Sequence, residues 1–155
     1  MLMIGKTSSW SLIIMEERSL GIFMVRGWMS RWLLRNGGVF YYYQVDELGT
    51  VRALSNGAGR WVERCEYDSF GDGDCYSTWF GAPIRQPYRF TGREWDEETG
   101  LYYYRARYYD PKIGRFITRD PIRFRSGDVN LFRYLNNNPN NYRDPLGLWP
   151  VGIHN

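Results

Sequence analysis

Residues 100–116 read GLYYYRARYYDPKIGRF, a tyrosine-rich run that ends at an Asp-Pro turn. Tyrosine favours extended structure because its ring packs well on the pleated surface of a sheet. At Asp110 the side chain can accept hydrogen bonds from turn amides, and Gly114 supplies a positive φ. The run therefore predicts a strand over 101–109 that buries one face, keeps Arg105 and Arg107 hydrated, and ends in a turn.

The same pattern of an aromatic or apolar residue, then Asp, a short spacer and Gly, recurs along the chain. Its spacing approaches a period of about 21 residues, which is typical of a repeat architecture. Each copy predicts a β-turn in which Asp accepts backbone hydrogen bonds. The copies are Val45–Gly49, Tyr67–Gly71, Trp95–Gly100 and Tyr109–Gly114.

These turns predict a mostly β protein built as an antiparallel meander. Tyr88–Trp95 and Leu101–Tyr109 are expected to form a hairpin, which a strand at Arg115–Thr118 extends. After Asp120 the sequence is rich in turn residues, with the run NNNPNN at 136–141. We therefore expect a loop-rich C-terminal region with at most one short helix near Val129–Leu135.

The first 38 residues have a different composition, and we predict a boundary at Asn36-Gly37-Gly38. Apolar residues at 25, 28, 29, 32 and 33 follow helical spacing, so a short amphipathic helix is expected. The apolar stretches are shorter than the roughly 20 residues that span a bilayer. The sequence also shows no signal peptide.

Composition argues against several functions. The net charge of +3 comes with interleaved acidic residues and no dense basic block, so nucleic-acid binding is not expected. The only histidine, His154, leaves no Ser/His or Cys/His pair for catalysis. Cys65 and Cys75 lack the spacing of a metal site, and we favour reduced thiols over a disulfide. No metal or cofactor is predicted.

Four ordered motifs extend this interpretation. At these motifs the chain resembles the RHS repeat-associated core domain, found in bacterial RHS and YD-repeat proteins and in insecticidal toxin-complex C subunits. The resemblance covers Tyr41–Leu148. The motifs are YRFTG at 88–92, GLYYYRARYYDP at 100–111, GRFITRDP at 114–121, and NNP at 137–139 continuing to DPLGL at 144–148.

The resemblance implies an organisation in segments. Residues 39–87 would be YD-type repeats, 88–148 the RHS repeat-associated core, and 149–155 a short tail, with 1–38 lying outside the family. In that family the repeats build a hollow β-shell around a toxic or signalling polypeptide. Expected partners are thus the rest of such a shell or its encapsulated toxin, and a secreted or cell-surface location is implied.

The resemblance also implies an aspartyl-type autoprotease that cuts after the final Leu of Pro-x4-Asp-Pro-x-Gly-Leu. Here the motif residues are Pro139, Asp144, Pro145, Gly147 and Leu148, so the cut would separate Leu148 from Trp149.

Two carboxylates that share a proton can activate water and polarise a carbonyl. The candidates are Asp120 and Asp144, with Arg119 beside them as the stabilising cation. One departure concerns 122–127, which contains a single glycine where the family is usually glycine-rich.

Two other interpretations remain open. Tyrosine-rich strands with arginine could bind carbohydrate or a cell surface by stacking. Alternatively, the chain is a truncated, inactive copy, which the brief tail after Leu148 supports. The enzymatic prediction is limited to self-cleavage.

Overall fold

The computed structural model describes residues 11–13, 22–26, 31–78, 84 and 86–153. Their regular structure is antiparallel sheet, with helix present only as short 3₁₀ turns. Seven strands form one sheet in sequence order, which makes it a meander. They are β1 (Ser11–Ile13), β2 (Ile22–Arg26), β3 (Arg31–Asn36), β4 (Val39–Val45), β5 (Val51–Asn56), β6 (Trp61–Tyr67) and β7 (Gly73–Ser77).

A second sheet and a separate hairpin follow. The second sheet has the order β11-β10-β9-β8, and β12 pairs with β13 alone. Their bounds are β8 (Glu94–Asp96), β9 (Leu101–Tyr103), β10 (Tyr108–Asp110), β11 (Arg115–Phe116), β12 (Tyr142–Arg143) and β13 (Val151–Gly152). The predicted mostly β meander is confirmed. None of the helices in the described part of the chain is long and apolar enough to cross a membrane.

The predicted N-terminal helix is wrong. β2 and β3 pair antiparallel, with Ile22 opposite Leu34, and Gly37 and Gly38 form the turn from β3 to β4. Of the apolar residues with helical spacing, Val25 lies on β2, and Trp32 and Leu33 lie on β3. Pairing of β2 with β3 and of β3 with β4 favours the extended conformation there over a helix. Residues 27–30 of the predicted helix lie outside the described residues.

The predicted Asp turns are present. Asp46 Oδ1 accepts the amides of Leu48 at 3.0 Å and Thr50 at 2.9 Å, and Gly49 has a φ of 82°. Asp68 repeats the geometry with the amides of Phe70 and Asp72. Because the contacts are local, the turns can be predicted from the sequence alone.

The predicted single strand over 101–109 is also wrong. The chain reverses between β9 and β10, where Arg105 takes a φ of 66°, and Tyr109 pairs with Tyr102. The reversal changes which side chains are buried: Arg107 is buried, whereas Tyr108 is 41% exposed. The expectation that Arg107 stays hydrated therefore fails.

Another predicted element differs. In place of a strand over 88–95 there is a 3₁₀ turn, Phe90–Gly92, before β8, and Thr91 has a φ of 47°. The C-terminal region was expected to hold at most one short helix near Val129–Leu135. It contains 3₁₀ turns at Arg123–Ser126 and Leu135–Asn137, the second of which begins at the end of that stretch. Side-chain packing and turn hydrogen bonds outweigh strand or helix propensity in these short segments.

Both cysteines are oxidised. Cys65 on β6 and Cys75 on β7 are disulfide-bonded, and neither is free. The preference for reduced thiols is therefore wrong. A disulfide depends on the separation of two residues across neighbouring strands, which residue spacing alone does not reveal.

The chain divides into two compact units, and one of them contains the candidate site: Val45–Val51, Cys65–Asp74 and Pro87–Asn155. Its core is a cluster of aromatic rings. Tyr104 packs edge-on against Phe116 at 5.6 Å and against Tyr134 at 5.6 Å between ring centroids. The hydroxyls of Tyr104 and Tyr134 lie 2.7 Å apart, and Thr91 Oγ1 lies 2.7 Å from the Tyr104 hydroxyl. The buried hydroxyls thus satisfy one another.

Candidate functional site

A buried arginine joins the two predicted aspartates. Arg107 Nη2 lies 3.3 Å from Asp120 Oδ2 and 3.6 Å from Asp144 Oδ2. The side chains of the three residues are 3%, 5% and 3% exposed, respectively. The structure therefore brings Asp120 and Asp144 together around one guanidinium.

Arg107 is fixed from several directions. The reversal between β9 and β10 turns its side chain inward, and its guanidinium lies 3.6 Å from the centroid of the Phe116 ring. Nε donates to the Gly147 carbonyl at 2.6 Å, and Nη1 donates to the Leu131 carbonyl at 3.2 Å. A planar guanidinium can meet all these partners at once, whereas a lysine ammonium lacks its fork of donors.

Asp120 begins a turn that follows the second sheet. Its amide donates to the Leu131 carbonyl at 2.9 Å, and its Oδ1 accepts the amide of Ile122 at 2.9 Å. Oδ1 is thus occupied by the turn, and Oδ2 faces Arg107.

Asp144 stands at the head of another repeat-type turn, which contains the predicted cleavage motif. Its Oδ1 accepts the amides of Leu146 at 3.2 Å and Leu148 at 3.0 Å, the same pattern as at Asp46. Gly147 has a φ of 71°, and a Cβ there would lie 2.5 Å from the Tyr104 carbonyl oxygen. Glycine is needed at this position for both reasons.

Burial shifts the pKa values of Asp144 and Arg107. It raises the pKa of Asp144, against the opposing effects of the Leu148 and Leu146 amides and of Arg107. Burial also lowers the pKa of Arg107, although the carboxylates of Asp120 and Asp144 oppose it. Asp144 therefore keeps its proton more readily than an aspartate in water.

A cavity of about 20 Å³ opens beside the three residues. Its lining includes Arg107, Asp120, Asp144, Leu148 and Trp149. A polar cavity of this size holds about one water molecule. Because the Arg107 guanidinium already stands between the two carboxylates, their Oδ2 atoms face a cation supplied by the chain itself.

The other predicted site residues occupy different environments. Arg119 is exposed, and the arginine that contacts both aspartates is Arg107. Leu148 is half-buried, and Trp149 is 49% exposed. The remaining motif residues comprise buried Pro139, half-buried Pro145 and buried Gly147.

The sequence analysis missed Arg107 because it predicted one continuous strand over 101–109. In such a strand side chains alternate between two faces, and Arg107 falls on the solvent-exposed face. A charged residue within a run of tyrosines was the available signal, but the chain reversal that buries it depends on tertiary packing.

Antiparallel strands joined by turns of the Asp46 type, together with a tyrosine core in one compact unit, are features of a YD-repeat β-shell protein. The sequence matches the family described as teneurin YD-shell over residues 27–140, so the chain belongs to that family. The match begins before the boundary predicted at 38. The predicted resemblance to RHS and YD-repeat proteins is confirmed.

Two curated relatives show the range of proteins that share this domain. The chain is 39% identical over 113 residues to the tRNA(Glu)-specific nuclease WapA of Bacillus subtilis subsp. natto (strain BEST195), covering 70% of the chain and 5% of that protein. It is 37% identical over 113 residues to the toxin subunit YenC1 of Yersinia entomophaga, covering 70% of the chain and 11% of that protein. The chain thus spans only a small part of the length of these relatives.

A solved structure shows the same fold. The crystal structure of TcdB2-TccC3-TEV superposes with a TM-score of 0.71 at 22% identity, covering 90% of this chain and 8% of that one. The chain is accordingly an RHS/YD-shell domain related to domains of toxin proteins.

Proposed function

We propose that the chain is the C-terminal core of an RHS-type toxin carrier and that it cuts its own backbone after Leu148. The observation that carries this proposal is the buried Asp120–Arg107–Asp144 group beside a cavity that Leu148 and Trp149 also line. Buried charges are costly, and two carboxylates that share one cation in a closed site are typical of acid–base machinery.

The two carboxyl groups divide the chemistry by environment. Asp120 has the closer contact with Arg107 and acts as the ionised base, which takes a proton from a water molecule in the cavity. The water oxygen then attacks the Leu148 carbonyl carbon. Asp144, whose pKa is raised by burial, acts as the acid towards the carbonyl oxygen.

Collapse of the tetrahedral intermediate completes the reaction. The bond between the Leu148 carbonyl carbon and the Trp149 nitrogen breaks, and that nitrogen takes up the proton that Asp120 removed from water. The hydroxyl that Asp144 protonated returns its proton to Asp144 as the carbonyl re-forms. The products are a carboxylic acid at Leu148, which then loses its proton to solvent, and an amine at Trp149. Arg107 acts as a positioning residue, because it fixes both aspartates and the Gly147 carbonyl.

The partners in this proposal are the rest of an RHS shell and the polypeptide that it would enclose. The names of the relatives, which include a nuclease and a toxin subunit, support a carrier role.

Intact mass tests self-cleavage. The protein is purified near neutral pH with an N-terminal tag, as wild type, Asp120→Asn and Asp144→Asn, because Asp-Pro bonds are themselves acid-labile. Asp110→Asn is the matched control, since Asp110 also precedes a proline but serves a turn, with its Oδ1 accepting the Lys112 amide.

We expect the masses of wild type and Asp110→Asn to lack the fragment that begins at Trp149. Asp120→Asn and Asp144→Asn should keep the full-length mass. A full-length mass in wild type would instead favour an inactive copy.

One observation favours a second candidate, a carbohydrate-binding surface. Tyr103 and Tyr108 are 38% and 41% exposed, and their ring centroids lie 5.2 Å apart across β9 and β10. Stacking of a sugar on this pair would raise the melting temperature in a glycan panel, and Tyr108→Ala would abolish the shift. A flat panel would argue against this candidate.

A further inference from the structure

Hydrogen bonds anchor the chain before the Leu148–Trp149 bond. The Leu146 carbonyl accepts the Ala106 amide at 3.2 Å, and the Gly147 carbonyl accepts Arg107 Nε at 2.6 Å. The Leu148 amide donates to Asp144 Oδ1 at 3.0 Å. These three residues are therefore fixed up to the bond itself.

A strand anchors the chain after that bond. β13 pairs antiparallel with β12, with Gly152 opposite Tyr142 and Val151 opposite Arg143. The Ile153 amide donates to the Asn141 carbonyl at 3.1 Å. Because hydrogen-bonded pairs alternate along an antiparallel ladder, Arg143 and Val151 form the next such pair.

The Leu148–Trp149 bond consequently lies in the loop of a β-hairpin, formed by residues 144–150 between β12 and β13. The motif spacing has a physical meaning here. Between Pro139 and Asp144 lies the stretch that contains β12, so the spacing places the strand directly before the turn that presents Leu148.

We propose that β12 is a substrate-positioning strand that holds residues 151–153 in the intact chain and releases them once the backbone is cut. This inference rests on the self-cleavage proposed above. With both ends anchored, only Trp149 and Pro150 separate the cleavage point from the paired strand. The Leu148–Trp149 bond is thereby kept at the cavity that Asp120 and Asp144 also line.

Release follows from the small size of the pairing. In the intact chain the short loop gives the two strands a high effective concentration, so a few hydrogen bonds hold them together. After the cut, the same bonds must offset the loss of translational freedom of a separate chain. An isolated two-stranded pairing is at best marginal in water, so the fragment that begins at Trp149 leaves.

Ile153 provides a matched pair of variants. Ile153→Pro removes the amide that Asn141 accepts, whereas Ile153→Ala keeps it and removes only the side chain. We expect Ile153→Pro to slow self-cleavage by about five- to tenfold, the effect of one net hydrogen bond. Ile153→Ala should cleave at the wild-type rate.

Two further measurements isolate the strand. In uncut Asp120→Asn protein, NMR should show slow amide hydrogen exchange at Ile153, and native mass spectrometry of cleaved wild type should show the body without the fragment. Any of four results would overturn this proposal. These are equal slowing of cleavage by both Ile153 variants, a wild-type cleavage rate for Ile153→Pro, fast amide exchange at Ile153, and a fragment that stays bound after cleavage.

An uncut wild type would overturn self-cleavage, and with it the positioning role. Slow amide hydrogen exchange at Ile153 would then show that β13 is paired with β12 but does not position a cleavage site. Normal cleavage with a wild-type rate for Ile153→Pro would overturn the positioning role alone.

Discussion

At the scale of single residues, the site depends on one arginine held between two carboxylates. Arg107 is buried with Asp120 and Asp144, and its guanidinium also lies on the face of Phe116. Such a group is costly to bury and strongly destabilising to break, because removing one member leaves uncompensated charge.

We predict that Arg107→Met lowers the free energy of unfolding by about 3–5 kcal/mol at neutral pH. The loss should shrink in acid, where Asp144, whose pKa is raised by burial, takes up a proton. Urea denaturation at several pH values measures it. Arg119→Met is the control, since Arg119 is exposed, and should change stability by less than about 0.5 kcal/mol. Equal effects from the two variants would contradict the central role of Arg107.

Asp144 gives a prediction about pH. Burial raises the pKa of Asp144 in the folded state above its ordinary value, so the folded protein binds this proton more tightly than the unfolded chain. The stability that this protonation contributes is fully present below the pKa of Asp144 in the unfolded chain. It is lost as the pH rises through the pKa of Asp144 in the folded protein.

Asparagine at this position does not titrate and keeps an acceptor for the Leu146 and Leu148 amides. The stability of Asp144→Asn relative to wild type should therefore increase as pH rises through the acid range. Parallel stability curves for the two proteins would show that Asp144 has no raised pKa.

At the scale of elements, one local device recurs in different roles. The Asp46 turn connects two strands of the large sheet, and the Asp144 turn has the same two amide contacts but presents Leu148 beside the carboxylates. The difference lies in the surroundings. Gly147 packs against the Tyr104 carbonyl, and the Gly147 carbonyl accepts a hydrogen bond from Arg107 Nε. A structural turn thus also supplies the candidate site.

We predict that Gly147→Ala destabilises the protein by about 2–4 kcal/mol, because a Cβ adds a backbone clash to the strain of a positive φ. Gly127→Ala is the matched control: Gly127 has a φ of 81°, and its Cβ would meet nothing within 4 Å. The control should cost only about 1 kcal/mol. Urea denaturation compares them, and equal losses would contradict the close packing of Gly147 on Tyr104.

At the scale of the whole compact unit, the buried tyrosines hold the turns and the second sheet together. The Tyr102 hydroxyl donates to the Gly71 carbonyl at 3.1 Å, and the Tyr109 hydroxyl donates to the Phe70 carbonyl at 2.6 Å. Burial is the largest cause that raises the pKa of Tyr102, Tyr104, Tyr109 and Tyr134 above 10. These hydroxyls act as donors only while protonated.

We therefore predict alkaline unfolding. The folded state holds these four protons more tightly than the unfolded chain, so their contribution to stability is present below pH 10 and is lost as pH rises above it. Tyrosinate absorbance of the buried residues should rise together with the loss of near-ultraviolet circular dichroism. Ionisation of all tyrosines before that loss would contradict a closed tyrosine core.

Much of the fold could be predicted from local sequence. The turns at Asp46 and Asp68 need only a side chain and a glycine a few residues apart, and the tyrosine content indicates strands. Asp120 and Asp144 came from the resemblance, and the structure places them together. In contrast, the N-terminal apolar spacing was compatible with a helix as well as with two strands.

By itself, the sequence determined the β class, the positions of the Asp turns and the order of the family motifs, because each depends on residues close together in the chain. Only the tertiary structure decided that the chain reverses at Arg105, that Arg107 takes the place expected for Arg119, and that Cys65 and Cys75 are oxidised. These features depend on contacts between distant segments. A buried cation is stable only where two carboxylates meet it, and that meeting exists only in the folded chain.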